Sequence, residues 1–413
     1  MIRLRHLAEI NPPTPEFDLI GDVEAVTFLP LEAVWEDSRL DVSRARPKRE
    51  VVSGYVRFRE QDVVCPKVTP TFQAGRSAVM VGLRHQVGAG TTELHVLRAR
   101  PTLSEPRFLQ YTCLTRQFLD EGVAHFQGVA GLQRVPAEFI KDFTVTDVGV
   151  AQQVRIADFL DDQVTRIEEA VDLRQRSITL LRHRANAELV ATAFPTDVST
   201  FPITYVADFL MGRQRSPENE MGAYMTPYVR SANVKDGVVE MDNLNLMNFT
   251  PAEQNTYRLL RGDVLVTEAS GSPEAIGAAG VWMGDKLNTV CFQNHLIRVR
   301  PKSGRACWEF LALWARASHR SGSFRSWATG AQILNLGFDS LKRAPVAQLT
   351  LEEQIDIARL WNDRESLWLS LDATGVNQVR LLRERKRALI TACITGEFDV
   401  SSASTRAADA VIR

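Results

Sequence analysis

The stretch AQQVRIADFLDDQVTRIEEAVDLRQRSITLLRHRANAELVATA, Ala151–Ala193, decides the architecture. Ala157, Leu160, Val164, Ile167, Val171, Arg174, Ile178, Leu181 and Ala185 alternate in steps of three and four. That spacing is a heptad seam with one polar interruption at Arg174. No Gly or Pro falls inside the stretch, and Pro195 lies just beyond it to stop a helix. At 1.5 Å per residue such a helix is roughly 60 Å long. Its apolar seam demands a partner, because a helix of this kind is stabilised by burying its stripe.

The partner is written about 201 residues further on. AQQVRIADFL from Ala151 is echoed by EEQIDIARLW from Glu352, with Gln153, Ile156 and Ala157 meeting Gln354, Ile357 and Ala358 at one offset. The same offset joins LLRHR at Leu180–Arg184 to LLRER at Leu381–Arg385, and Asp62 to Asp263. Slightly shifted, ELHVLRARP from Glu93 pairs with QNHLIRVRP from Gln293. Collinear blocks at nearly one offset indicate a duplication. The second long segment carries an approximate stripe of Ile357, Trp361, Trp368, Leu371, Val379, Leu382 and Leu389. Asp372 and Gly375 interrupt it, which predicts a kink or break between Ala373 and Asn377.

Before each long helix the two copies read alike. Alternating segments (DVVCPKV at Asp62, DVLVTEA at Asp263) lead into polar Gly-containing loops (Thr69–Gly75, Ser270–Gly277). Further apolar strands follow, then a helix from Arg107 or Trp308, and a Gly turn at Gly131 or Gly330. The predicted fold class is therefore α+β: two similar mixed α/β heads separated by two long antiparallel helices that form a coiled-coil-like spacer, an internal pseudo-twofold repeat of about 201 residues. The expected boundaries are head one at 1–150, spacer helix one at 151–193, head two at 194–350, spacer helix two at 351–396, and a flexible Ser- and Ala-rich tail at 397–413.

Composition narrows the function. With 45% apolar and 24% charged residues the chain can bury true cores. No run of about 18 apolar residues predicts a membrane span, and the opening MIRLRHLAEINPPTPEFD lacks a signal-peptide core. Five dispersed cysteines without a CxxC pair fit reduced thiols and a cytoplasmic location, and argue against a structural zinc. The net charge is −1, and neither head is strongly basic, so a nucleic-acid contact must come from local patches or from a more basic partner. Catalytic constellations are missing: there is no GxxxxGK(S/T), no GxGxxG, no HExxH, no GxSxG and no PD…(D/E)xK. Asn11-Pro12-Pro13-Thr14 approaches the amino-methyltransferase turn, but Thr14 replaces its aromatic and ten residues cannot supply a cofactor domain ahead of it. His95 and His295 fall on matching apolar strands and read as structural histidines. These absences favour a binding or scaffold subunit over an enzyme.

The pattern resembles the specificity subunits of type I restriction-modification systems. The resemblance spans about residues 1 to 400. It rests on LAEINP at Leu7–Pro12, GDVLVTEASGSP at Gly262–Pro273, FQNHLIRVRP at Phe292–Pro301, TGAQILNLGFDSLKRAPVAQLTLEEQIDIA at Thr329–Ala358 and LLRERKRALITACITGE at Leu381–Glu397. The first copy departs from it, with REQDVVCPKV and DFTVTDVGVAQQ in place of the usual forms. The resemblance implies that each head is a target-recognition domain on double-stranded DNA. It implies that the helices dock two methyltransferase subunits, to which motor-nuclease subunits attach. It implies no catalytic site, and no cofactor or metal bound by this chain, S-adenosylmethionine belonging to the partner methyltransferase subunits. Two different heads in one chain would read an asymmetric, bipartite site. Polar loops projecting from a rigid sheet are the natural readers, which selects Lys67, Thr69, Gln73, Arg76, Gln133 and Arg134 in head one, and Ser270, Ser272, Arg325, Gln332 and Asn335 in head two. Exposed helix faces at Arg166, Glu169, Arg182 and Arg383 are the expected partner surface. Two other readings stay open: a stand-alone sequence-specific DNA-binding regulator or defence protein built from the same duplicated heads, and a methyltransferase using Asn11–Thr14.

Overall fold

The computed structural model describes residues 1–36, 38–128, 133–270, 272–284, 289–330 and 334–400. Two compact units divide it, Met1–Gln175 with Val376–Arg413, and Arg176–Gly375. Each unit thus takes a head together with half of each long helix. The helices span Val150–Ala193 and Leu351–Thr395. Among the described residues no helix is long and apolar enough to cross a membrane.

In the first unit one antiparallel sheet has the order Ala8–Ile10, Leu94–Ala99, Val63–Pro66, Ala78–Val79. A second sheet runs Ala45–Pro47, Ala25–Leu29, Val87–Gly90, Val56–Arg59, with Ala25–Leu29 and Val87–Gly90 parallel. The second unit repeats the plan: Ala207–Met211, Leu296–Pro301, Val264–Thr267, Ala279–Val281 and Gly237–Val238 in one sheet, and Asn245–Asn248, Met225–Val229 and Cys291–Phe292 in another, again with one parallel pair. Alternate strand residues point inward, so Val63, Leu97, Leu109 and Phe118 form one core, and Val264, Val299, Phe310 and Trp314 its counterpart. The helix expected from Arg107 is in fact two, Pro106–Leu114 and Arg116–Ala124. Thr115 leaves helical geometry between them, and its hydroxyl accepts the Phe118 N–H as an N-cap.

Polar anchors recur with the same partners in both units. Asp62 and Asp263 are buried, and each takes a bidentate guanidinium, from Arg98 and Arg300 respectively. Gln153 is also buried; its side chain accepts the Glu105 N–H and donates to the Leu103 and Val148 carbonyls. Gln354 does the same with the Cys307 N–H and the Arg305 and Leu349 carbonyls. These glutamines pin each head to the start of its long helix by satisfying backbone groups that the turns leave open.

The recurring anchors also correct the alignment of the copies. Arg98 answers to Arg300, and the register Val63↔Leu97 answers to Val264↔Val299. The strand from Leu94 is therefore offset by 202 residues, not by the shifted value that aligns His95 with His295. A slip of two keeps every side chain on its own face, so apolar alternation cannot reveal it. His95 corresponds to Ile297, and His295 is exposed rather than structural.

Within the first unit the long helices pair antiparallel, with Glu168 against Lys386 and Phe159 stacked on Phe398. Phe398 is buried, so the tail expected to be flexible is packed at least to that residue; Ser401–Arg413 lie outside the described residues. Within the second unit Glu188 meets Arg364 and Trp368, and Arg182 grips Asp372. The second helix is continuous through Gly375, without the break that its sequence allowed. The residues read as interruptions are the pairing devices. A Cβ on Gly375 would sit 2.8 Å from Cγ1 of Ile178, so glycine is what lets the helices approach there. Alanine at an exposed helix position would gain about 1 kcal/mol of propensity. Here Gly375→Ala is expected to lose about 1 kcal/mol instead, since overpacking outweighs that gain. Urea unfolding of G375A, and its rescue when combined with Ile178→Ala, checks this.

Candidate nucleic-acid interface

Beyond each core sheet the chain builds a small polar ribbon. In the first unit Val68 bridges to Arg134, and Arg134 bridges to Gln127. The Thr69 N–H donates to the Gln133 carbonyl at 3.2 Å, and the Val135 N–H to the Lys67 carbonyl at 2.9 Å. In the second unit Ala269–Ser270 pairs with Leu334–Leu336, which pairs with Ala328–Thr329. The Leu336 N–H donates to the Glu268 carbonyl at 2.7 Å. These contacts equate Lys67 with Glu268, Val68 with Ala269, and Arg134 with Asn335. A third line enters from the sheet: Lys67 N–H donates to the Glu93 carbonyl, as Glu268 N–H does to His295. Glu93 therefore corresponds to His295.

One backbone thus carries two different sets of side chains. In the first unit Arg134 donates from Nε and Nη2 to the two carboxylate oxygens of Glu93, at 2.8 and 2.7 Å. Those hydrogen bonds hold the Glu93 carboxyl below its ordinary range, against a weaker opposing effect of burial. Burial pushes the Lys67 ammonium down, which the Glu93 charge opposes, and Nζ donates to the Thr92 carbonyl at 2.9 Å. In the second unit Glu268 is pushed up, chiefly by burial, with His295 acting in the opposite sense. Lys67, Glu93 and Arg134 place two cationic side chains around one carboxylate, whereas the second ribbon sets the Glu268 carboxyl beside His295 and Asn335 with no lysine or arginine at these equivalent positions.

Of the expected readers, Lys67, Thr69, Gln133 and Arg134 are brought together on the first ribbon, with Gln133 and Arg134 exposed. Gln73 is exposed on the connection between Val63–Pro66 and Ala78–Val79. Arg76 stands apart from the ribbon. It is half-buried beside a cavity of about 270 Å³, together with Trp35, Glu36, Lys386 and Arg383. In the second unit Ser270 and Asn335 share the ribbon by backbone pairing, and Asn335 is exposed. Ser272 is exposed just beyond, and Arg325 is exposed on the short helix Ser323–Ser326 that leads into Ala328. Gln332 and the Gly131 turn lie outside the described residues. Sequence reading missed Glu93, Glu268 and His295, which only backbone pairing carries to the ribbon.

On the helices, Arg166 is exposed and pairs with Asp162 at 3.0 Å, and Glu169 is exposed. Arg383 is exposed at the cavity that Arg76 lines. Arg182 is exposed as well, and its Nε and Nη2 donate to Asp372 at 2.6 and 3.0 Å. The Asn11–Thr14 turn is likewise occupied. The Asn11 Oδ1 accepts the Val96 N–H, its Nδ2 faces His95 Nδ1, and Thr14 is buried with its hydroxyl accepting from Arg98.

A chain from a study of complex assembly and conformational transition of the type I R-M system superposes with a TM-score of 0.77 at 16% identity, over 96% of this chain and 97% of that one. The HsdS subunit from Thermoanaerobacter tengcongensis gives 0.59 at 17% identity, over 96% of each. In sequence, the EcoAI specificity subunit of Escherichia coli, a type I restriction enzyme subunit, is 30% identical over 197 residues, 47% of this chain and 32% of that protein. Over about half its length this chain is thus similar to a type I specificity subunit. The EcoEI specificity subunit of Escherichia coli is 31% identical over 196 residues, 46% of this chain and 31% of that protein. The matched segment thus spans about a third of each of these two specificity subunits. No protein-family model matches the chain. The two-headed, two-helix plan expected of a specificity subunit is the fold observed.

Proposed function

We propose that the chain is the DNA sequence-specificity subunit of a type I restriction-modification complex. Each head reads one half of an asymmetric, bipartite site. The long helices dock two methyltransferase subunits, and motor-nuclease subunits join through them. The chain works in the cytoplasm as a non-catalytic subunit and binds no cofactor itself, S-adenosylmethionine lying on its partners. The observation that carries this reading is the ribbon built twice on one backbone plan, with different side chains at equivalent positions. Such a pair suits the reading of two unlike half-sites by base-edge contacts, with phosphate contacts setting register. The similarity to the EcoAI and EcoEI subunits supports it further. Near-neutral charge fits a subunit whose partners supply much of the grip on phosphate.

Modification-sensitive sequencing of host DNA, with and without this gene, tests the reading. Deletion is expected to erase one asymmetric bipartite methyladenine motif. An unchanged methylome, with the neighbouring methyltransferase genes intact and expressed, favours the stand-alone DNA-binding protein.

A further inference from the structure

The two ribbons differ at one equivalent position whose side chains are exposed in both, held by Arg134 in the first unit and Asn335 in the second. Arg134 is presented in a defined orientation. Its Nε–Nη2 edge is bound to Glu93, and Glu93 is fixed in turn by its backbone bond to Lys67. A guanidinium has five N–H groups. Side-on use of two leaves the end-on fork, Nη1 and Nη2, facing away from the carboxylate. That fork matches the O6 and N7 acceptors of guanine in the major groove. Asn335 has no such fork, but a carboxamide offers one donor and one acceptor, which match N7 and N6 of adenine.

We infer that Arg134 and Asn335 are paired base readers at one repeated position, Arg134 reading guanine with Glu93 as its positioning residue and Asn335 reading adenine in the other half-site. This rests on the DNA-specificity reading above. Lysine could supply the charge of Arg134 but not its planar fork, and an arginine without Glu93 would lose its fixed aim. The charges of the two ribbons agree with the assignment. The positive one surrounds a base edge of two acceptors, and the other carries Glu268 and His295 beside a reader that both donates and accepts.

The test uses the full-length chain, tagged at its own locus and purified with the subunits that accompany it, to select from a randomised DNA duplex library. The native chain is expected to select a bipartite motif with a guanine in one half and an adenine in the other, each preferred by about 5- to 150-fold. Arg134→Asn should move only the guanine position, towards adenine. Asn335→Arg should move only the adenine position, towards guanine. Arg134→Lys, which keeps the charge should the asparagine variant fail to fold, should bind the library nearly as well with the guanine preference mostly lost. Glu93→Gln should reduce that same preference more than overall binding. A bipartite motif whose every letter survives Arg134→Asn and Arg134→Lys, even with uniformly weaker binding, would overturn the inference and leave the specificity-subunit reading standing. A native complex that selects no motif would overturn that reading, and this one with it.

Discussion

Replacing Asp62 by alanine is expected to destabilise the first unit by about 3–5 kcal/mol, the usual cost of removing one partner of a buried ion pair. The carboxylate is buried, with only 1% of its side chain exposed, against 11% for Arg98. Its oxygens accept from Arg98 Nε and Nη2, both at 2.8 Å, and from the Arg59 N–H at 2.9 Å. Burial alone would lower the Arg98 pKa, but the Asp62 hydrogen bonds and charge outweigh it and hold it raised. Alanine leaves that cation in place with the Pro13 carbonyl and the Thr14 hydroxyl as its remaining acceptors. Neither supplies a negative charge. Asp62→Asn should cost less, since one acceptor oxygen remains. Hydrogen exchange across residues 56–66 and 94–99 during urea unfolding reads the loss in the right place. Asp263→Ala, which strips Arg300 of bonds at 2.6 and 2.7 Å, should do the same to the second unit. Tryptophan fluorescence reports it there, because every tryptophan except Trp35 lies between Arg176 and Gly375. Wild-type stability in D62A would show that Arg98 finds water or another acceptor, and that the pair is not an anchor.

The long helices were legible because their signal is local and periodic. Ala157, Leu160 and Val171 fall on the seam and are buried, while Arg174, the polar interruption, is exposed. The duplication was legible because Gln153 and Asp62 are fixed by chemistry, and their counterparts Gln354 and Asp263 make the same bonds. What failed needed information from outside the local pattern. Gly375 reads as a helix breaker until Ile178 is seen against it. The two-residue slip at Leu94 is invisible to a period of two. The ribbon is assembled from residues 67–69, 93, 127 and 134, which share no motif and meet only through backbone pairing. Local chemistry suggested that Lys67, Gln133 and Arg134 were surface polar residues; it could not show that Glu93 aims one of them.

Acid should loosen the first ribbon before carboxylates titrate, through His95. This histidine is buried, and its Nε2 lies 2.9 Å from the Val135 carbonyl, which can only accept, so Nε2 carries the proton. Its Nδ1 lies 3.1 Å from Asn11 Nδ2. The Asn11 Oδ1 is already taken by the Val96 N–H, so the amide donates to Nδ1. A second proton would therefore point one donor at another, inside a site that water does not reach. Burial is the main cause that pushes the His95 pKa down to about 4; the Val135 bond opposes it and Lys67 adds to it. The unfolded chain takes up this proton near 6.5 and the folded unit does not, so the unfolded state binds more protons between those values. Stability is then complete above about pH 6.5 and falls as the pH drops towards 4, by about 3 kcal/mol over the window at 1.36 kcal/mol per pKa unit. Unfolding free energies measured at pH 7 and pH 5 are expected to differ by about 2 kcal/mol from this group. His95→Gln should flatten that difference, whatever it costs at neutral pH. Protection factors at residues 133–135, taken after division by the intrinsic exchange rate at each pH, should fall on acidification in the native chain, because the carbonyl that His95 holds directly follows Arg134. An identical slope in H95Q would assign the acid sensitivity to other groups, the carboxylate of Glu93 first among them.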